Sequence, residues 1–248
     1  MIKLIFKNSF TMKKALMVLA VLTMTFTGCY KDNDNGRKST TGTLNGHEWV
    51  DLGLPSGTLW ATTNVGADTP EAYGDYFAWG EPQPQASNEY SWECYKYAGS
   101  DYDKFTKYCS ESSYGDNGYT DTLVRLLPED DAATVNWGNG WRMPTSEELE
   151  ELIEKCVVMN ITQNGVKGRI FIAPGGGKSI FLPAAGNRCY YGDFGNNDIG
   201  GYWSSSLDIL SPHYAMYLFF NSNSDNCRWG SYNRYYGFSV RPVCASQK

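Results

Sequence analysis

The C-terminal run from Gly200 to Val243 constrains the fold more than any other stretch. Bulky apolar residues recur at Trp203, Leu218, Phe219, Trp229, Phe238, Val240 and Val243, as core-facing strand positions should. Between them stand Asn, Ser, Asp, Tyr, Arg, His and Gly in no repeating order. Tyr brings a large contact area with little rotamer entropy to lose, and small polar residues adapt their hydrogen bonds to a partner. The run predicts a rigid β-rich scaffold that displays a recognition surface.

The rest of the chain supplies strands, turns and little helix. With 26 Gly, 10 Pro and 15% aromatic residues, composition favours a loop-rich β or α+β domain over a helical bundle. Glu48–Leu54 and Thr58–Thr62 read as short strands joined by the turn Pro55-Ser56-Gly57, and Asp75–Gly80 as another strand. Glu81–Gly118 is polar, Tyr-rich and without periodicity, which predicts long surface loops. Leu127–Ala133 suits a short helix, with Pro early and acids in the first turn. Trp137–Met143 turns back through two glycines. The clearest helix follows: Thr145 caps it, Glu148 closes a capping box, and Leu149, Leu152, Ile153 and Cys156 form one buried face. Arg169–Ile172 and Ser179–Leu182 flank a Gly-rich turn and read as a hairpin. Gly175-Gly176-Gly177-Lys178-Ser179 imitates a phosphate-binding loop, but Ile172 stands where its first Gly belongs and a strand pattern follows where a helix is needed.

The N-terminus carries an export signal. Met12-Lys13-Lys14 opens a basic region, and Ala15–Thr27 is apolar but too short to span a membrane. Gly28-Cys29 closes it and resembles the bacterial lipobox, which implies that Cys29 is diacylated and becomes the new N-terminus. An ordinary signal peptide with a chance Cys is the alternative. Met1–Thr11 is then an upstream extension, since Met12 begins a complete signal by itself. Residues 1–28 hold four Lys and no acid, so their removal takes the formal charge from −6 to −10. Such an acidic protein is a poor partner for nucleic acid, and only the lipid anchor would hold it to a membrane. Residues 29–43 read as a polar tether. Lys31-Asp32-Asn33-Asp34 resembles the acidic tag that sends some lipoproteins to the outer face of the outer membrane.

Catalytic and metal motifs are thin. The two histidines, His47 and His213, stand at opposite ends of the domain, and no nucleophile-elbow pattern accompanies them. His47 beside Trp49 reads as structural, and His213 as a surface residue. No CxxC pair exists, which argues against zinc. Six cysteines remain besides Cys29, with 15 possible pairings, and Cys94–Cys109 suits a local bridge. Glu81-Pro82-Gln83 resembles a sugar-binding triplet of calcium-dependent lectins, but its position is far upstream and its W-N-D partner is missing. No metal site, cofactor or catalytic residue is predicted. Asp121-Thr122-Leu123 resembles a bacterial O-glycosylation sequon.

Two stretches carry a family resemblance. Gly140-Trp141-Arg142-Met143-Pro144-Thr145, followed by Glu147, Glu148 and Leu149, resembles the signature of formylglycine-generating-enzyme-like domains, and Gly237–Val243 resembles their terminal strand. His47–Ala61, Glu129–Thr145, Ser179–Gly186 and Tyr202–Ser206 are similar to the major-paralogous-domain family of bacterial surface lipoproteins. The resemblance covers most of Leu44–Val243. It implies an α+β, C-type lectin-like fold over residues 44–246: small twisted antiparallel sheets, one or two helices, long loops, and pairing between strands at the two domain ends.

The last segment also resembles the variable proteins of diversity-generating retroelements, in which adenine-directed mutagenesis of AAC codons never yields Trp, Lys, Met, Gln or Glu. Cys189–Tyr191, Leu207–Ser211, Asp225–Arg228 and Gly230–Asn233 use only permitted types, and no Lys, Gln or Glu occurs between Gly186 and Val243. Trp203, Met216 and Trp229 would be fixed. A fixed binding loop of ordinary polar composition is the alternative. The diversified reading implies a display segment at about 187–243 for an unknown protein or glycan. Tyr190, Tyr191, Asp193, His213, Tyr214, Asn223, Asp225, Asn226, Arg228, Ser231, Tyr232, Asn233 and Tyr235 would make contacts. Trp203, Trp229, Phe238 and Arg241 would hold the scaffold. Two other functions fit the same resemblance. One is a formylglycine-generating-type enzyme with Cys227 near another thiol. The other is a structural envelope or fimbrial component.

Overall fold

The computed structural model describes residues 40–86, 89–99 and 104–246. The expected signal peptide, the lipidated Cys29 and the acidic tag lie outside them. The described chain is α+β: small antiparallel sheets, two α-helices and long loops.

The first sheet ties the two ends of the domain together. Strand β1 (Thr41–Leu44) turns through Asn45-Gly46, both at positive φ, into β2 (His47–Asp51). Thr41–Thr43 of the expected tether thus pair as strand. Next comes β3 (Leu59–Ala61) and, late in the chain, β13 (Val243–Cys244), with β4 (Trp141–Arg142) outermost. Val243 stands between Trp60 and Arg142, so the last strand is the inner one. Asp75–Gly80 forms only one bridge, Phe77 with Phe238, rather than a strand. Glycines at positive φ, Gly74 and Gly80, bound it, which leaves too little extended chain for a ladder.

The longer helix sits where its cap predicts, whereas the short one expected at Leu127–Ala133 begins later and runs to Trp137. Asp131 caps α1 (Ala132–Trp137), after a 3₁₀ turn at Pro128–Asp130. Helix α2 (Ser146–Lys155) carries the full capping box of Thr145 and Glu148 and buries Leu149 and Leu152. Glu148 also accepts both Arg142 terminal nitrogens at 2.6 Å and the Thr58 hydroxyl at 2.5 Å. Burial alone would raise its carboxyl, but the hydrogen bonds from Arg142 and Thr58 hold it below the usual range.

After α2 come β5 (Val157–Gln163), β6 (Val166–Ile172) and β7 (Ser179–Pro183), a second sheet in that order. The Gly-rich stretch 175–177 is the β6–β7 turn, with all three glycines at positive φ. Strand β5 was not read from the sequence, although Val157, Met159 and Ile161 alternate with Asn160 and Thr162 and Asn164-Gly165 is a strong hairpin turn. A two-stranded hairpin of β8 (Asn187–Cys189) and β9 (Gly192–Phe194) precedes the third sheet, which orders β10 (Ile199–Leu207), β11 (Tyr214–Asn221) and β12 (Cys227–Asn233).

Two buried arginines organise the core. Arg241 donates to Asn64 Oδ1 and to the carbonyls of Ala61, Thr62 and Phe181, joining the first and second sheets. Burial lowers its pKa to about 10, so it stays charged. Arg234 donates to the Tyr95 hydroxyl and to the carbonyls of Lys107, Tyr108 and Pro212, with its guanidinium 4.5 Å from the Phe105 ring centroid. The 81–118 region is therefore no purely superficial loop: Tyr90, Tyr95, Tyr97, Phe105 and Tyr108 are buried. Asp130 braces it from the other side, accepting from Lys107, Tyr108, Tyr97 and Lys96. The Cys94–Cys109 bridge does not form. Cys109 points inward to the Glu111 carbonyl, whereas Cys94 is exposed near Glu89, and all six described cysteines are free.

Candidate ligand-binding site

The site grows from strand alternation in the third sheet. Along β11, Leu218 and Phe220 face the cluster that contains Leu149 and Leu152 of α2. Tyr217 and Phe219 face the other way, opposite Gly230 and Arg228 of β12. On β10, Gly201 lies opposite Phe219, and a Cβ there would meet the Phe238 ring at 2.3 Å. Glycine at 201 thus lets Phe238 seat against the sheet. Tyr217 stacks on Phe238 at 5.2 Å, and Tyr232 meets Tyr236 edge-on at 4.6 Å. These rings and the β8–β9 hairpin enclose a cleft of about 480 Å³, within the size range of small-ligand sites.

The hairpin wall is polar. Arg188 and Asp193, paired across β8 and β9, form an ion pair at 2.7 Å, and Arg188 lies over the Tyr76 ring at 4.5 Å. Asn187 lines the cleft at 7% exposure, and its side-chain oxygen has no hydrogen-bond partner. Burial pushes the Tyr232 and Tyr236 hydroxyls up to about 12, so both are neutral near pH 7.

The structure divides the thirteen expected contact residues. Tyr191, Asp193 and Tyr232 line the cleft. Arg228 stands over the Phe219 ring at 5.5 Å, and Tyr190 meets Tyr191, which is 92% exposed. Ser231 and Asn233 alternate to the opposite face of β12, and Tyr214 pairs with Asn233 there. Asn223, Asp225 and Asn226 lie in the β11–β12 turn. Asn223 donates to Asp198, while Arg169 grips the carbonyls of Asn221, Ser224 and Asn226. With β11 rising about 3.4 Å per residue, that turn is roughly 24 Å from Tyr214, too far to share one small ligand.

Three expectations are corrected. His213 is not a free surface residue: its ring packs edge-on against Tyr114 at 5.0 Å, Phe105 at 5.2 Å and Trp92 at 6.0 Å. Tyr235 is half-buried against Trp92 at 4.8 Å. Trp229 is no core anchor. It faces the α2 side opposite Leu218, but β12 is the outermost strand, so the ring is 47% exposed. Trp203 and Phe238, by contrast, are buried as scaffold residues should be. Asn187, Tyr217, Phe219 and Tyr236 were missed. The Tyr217/Phe219 alternation was visible, but nothing local shows which face of β11 meets the hairpin.

The other chemistry-bearing residues are occupied structurally. Cys227 faces away from the cleft, and burial pushes its thiol up to about 11; burial does the same to Cys244, in the other core cluster. His47 stacks on Trp137 at 3.7 Å, and burial lowers its pKa. Glu81 accepts from the Lys96 backbone N–H and from Gln85. Among the described residues, no three His, Cys, Asp or Glu side chains gather as metal ligands. No family model, curated protein or solved structure matches the chain.

Proposed function

We propose that this chain is a non-enzymatic, lipid-anchored surface receptor or adhesin with a C-type lectin-like domain. Its β8–β9 hairpin and the outer strand β12 display a diversified patch to a protein or glycan. The observation that supports this best is the distribution of side chains: Tyr190, Tyr191, Asp193, Arg228 and Tyr232, all of types the diversification code permits, are exposed around one aromatic cleft. Behind them Trp203, a type the code does not yield, is fully buried, whereas Trp229, another such type, is 47% exposed on the opposite face. A display surface needs this separation, since surface substitutions away from special features change stability by only about ±0.5 kcal/mol.

The test is a library randomised at Tyr190, Tyr191, Asp193, Arg228 and Tyr232, displayed on yeast and panned against lysozyme as a model antigen. Most members should display as folded protein, and binders should emerge. A library that mostly fails to fold would sink the reading. The flanking DNA offers a second check: a near-copy of the 3′ coding end, differing only at adenines, beside a reverse-transcriptase gene. Anchoring is tested by Cys29→Ala, which should release the protein from the membrane fraction.

A further inference from the structure

We infer that two copies of this chain associate through the outer edge of β12, which pairs antiparallel with itself about a twofold axis at Trp229. The inference goes beyond the ligand-display reading and rests on strand geometry.

The ladder with β11 fixes which backbone groups face outward. At one end of β12 the Arg234 N–H donates to the His213 carbonyl, and at the other the Asn221 N–H donates to the Asn226 carbonyl. Bonded pairs alternate along an antiparallel ladder, so Arg228, Gly230 and Tyr232 direct both backbone groups to β11. Cys227, Trp229 and Ser231 turn theirs to the outer edge, where no other described segment pairs with them. The run stops at Asn233, whose carbonyl already accepts from the Tyr236 N–H at 3.1 Å. Proteins blunt open edges with Pro, Lys or a bulge. Strand β12 reads Cys-Arg-Trp-Gly-Ser-Tyr-Asn and keeps an unbroken register with β11, so it carries none of these devices.

A second copy fits that edge better than any other occupant. The outward run Cys227–Ser231 is centred on Trp229. A twofold axis there sets Trp229 against Trp229 and Cys227 against Ser231, with about six hydrogen bonds in all. Helix α2 packs on the same face but leaves Trp229 47% exposed, and the second indole covers that surface. Arg228, the only charged residue of the strand, falls opposite Gly230 of the second copy. A register shifted by two residues would instead set Arg228 against Arg228, a like-charge pair. An extended peptide from another protein meets the same backbone groups, but supplies neither the second Trp nor the space that Gly230 leaves for Arg228. Pairing joins two three-stranded sheets into one. It also brings Arg228 of the second copy onto the cleft face, diagonal to Tyr232, so each patch takes a residue from both copies.

Two measurements on the full chain test this. The first is cross-linking in the membrane fraction, with Cys94→Ser removing an exposed thiol. Under copper–phenanthroline, Trp229→Cys should run as a disulfide dimer, since paired Cα atoms lie about 5.5 Å apart, within disulfide reach. Val135→Cys, 44% exposed on α1, should stay monomeric. The second is sedimentation equilibrium in nonionic detergent, where the chain should dimerise with a Kd on the order of 10 μM. Ser231→Pro removes an outward N–H without touching the β11 ladder and should weaken dimerisation at least about tenfold. Its Tm is measured alongside, and Trp229→Lys, with the same expected loss, decides the matter if the proline variant unfolds. The inference fails if the chain is monomeric at about 200 μM, or if the folded edge variants dimerise as tightly as wild type. It also fails if Trp229→Cys cross-links no faster than Val135→Cys. Neither measurement bears on the display reading, which the randomised library judges separately.

Discussion

Strands β10 and β12 flank the same partner, β11, yet they live in different environments. Every residue of β10 after Ile199 is buried, whereas no residue of β12 is. The difference lies in what meets each outer edge. Other segments hydrogen-bond to β10: Gly186 N–H reaches the Ile199 carbonyl, Trp203 N–H reaches Ser239, and Leu126 N–H reaches Ser205. Among the described residues, no strand pairs with the outer edge of β12. Tolerance to substitution in this sheet is therefore set by strand position rather than by residue type. Trp203 and Trp229 make the point, since one aromatic is walled in and the other half-open.

Substitutions on the two strands and their supports can break this contrast. Trp203→Ala should have the largest effect, roughly 4 kcal/mol by urea denaturation, because it empties a fully buried site and removes the indole N–H that reaches Phe77 and Tyr236. Arg241→Leu should cost about 3 kcal/mol, since it leaves the Ala61, Thr62 and Phe181 carbonyls without their donor. Gly201→Ala should cost about 2 kcal/mol by driving a methyl group into the Phe238 ring, and should also narrow the cleft. Trp229→Ala should cost about 1 kcal/mol or less, as its ring loses contacts on one side only. A loss at Trp229 equal to that at Trp203 would overturn the contrast.

The smallest effect concerns pH. Glu148 has a lowered pKa in the folded state, so the stability it confers is present above the unfolded carboxylate range, near 4.3, and is lost as pH falls through the folded value. Asp130 acts in the same sense, while Asp131, raised by burial, acts in the opposite one. Comparing wild type with Glu148→Gln isolates the one group: the variant should lose less stability between pH 5 and pH 3, measured by thermal melts.

Much of the frame was legible because its signals are local. A Thr-x-x-Glu box satisfies backbone donors within one turn, so helix α2 could be read from four residues. The turn at 175–177 announced the β6–β7 hairpin in the same way, through residues that tolerate positive φ. Strand β5 was missed although Val157, Met159 and Ile161 alternate along it, because the strand follows the helix directly and none of its side chains is fully buried. Within the candidate site, the exposed tyrosines of the β8–β9 hairpin and Tyr232 were foreseen, but Asn187, Tyr217, Phe219 and Tyr236 were not.

By itself, the sequence determined the α+β class, the capped helix, the Gly turns, and the Tyr-, Asn- and Ser-rich composition of the C-terminal segment. These depend on backbone geometry and side-chain chemistry over a few neighbouring residues. Only the tertiary structure decided that β12 is an open edge, that His213 packs against Phe105 and Tyr114, and that Arg234 and Arg241 are buried among carbonyls. It also decided which face of β11 becomes the cleft. The physical reason is common to all four: burial depends on what another segment, distant in sequence, brings against the residue. Alternation places a side chain on one face of a strand or the other but carries no information about which face, or which edge, the rest of the chain will cover.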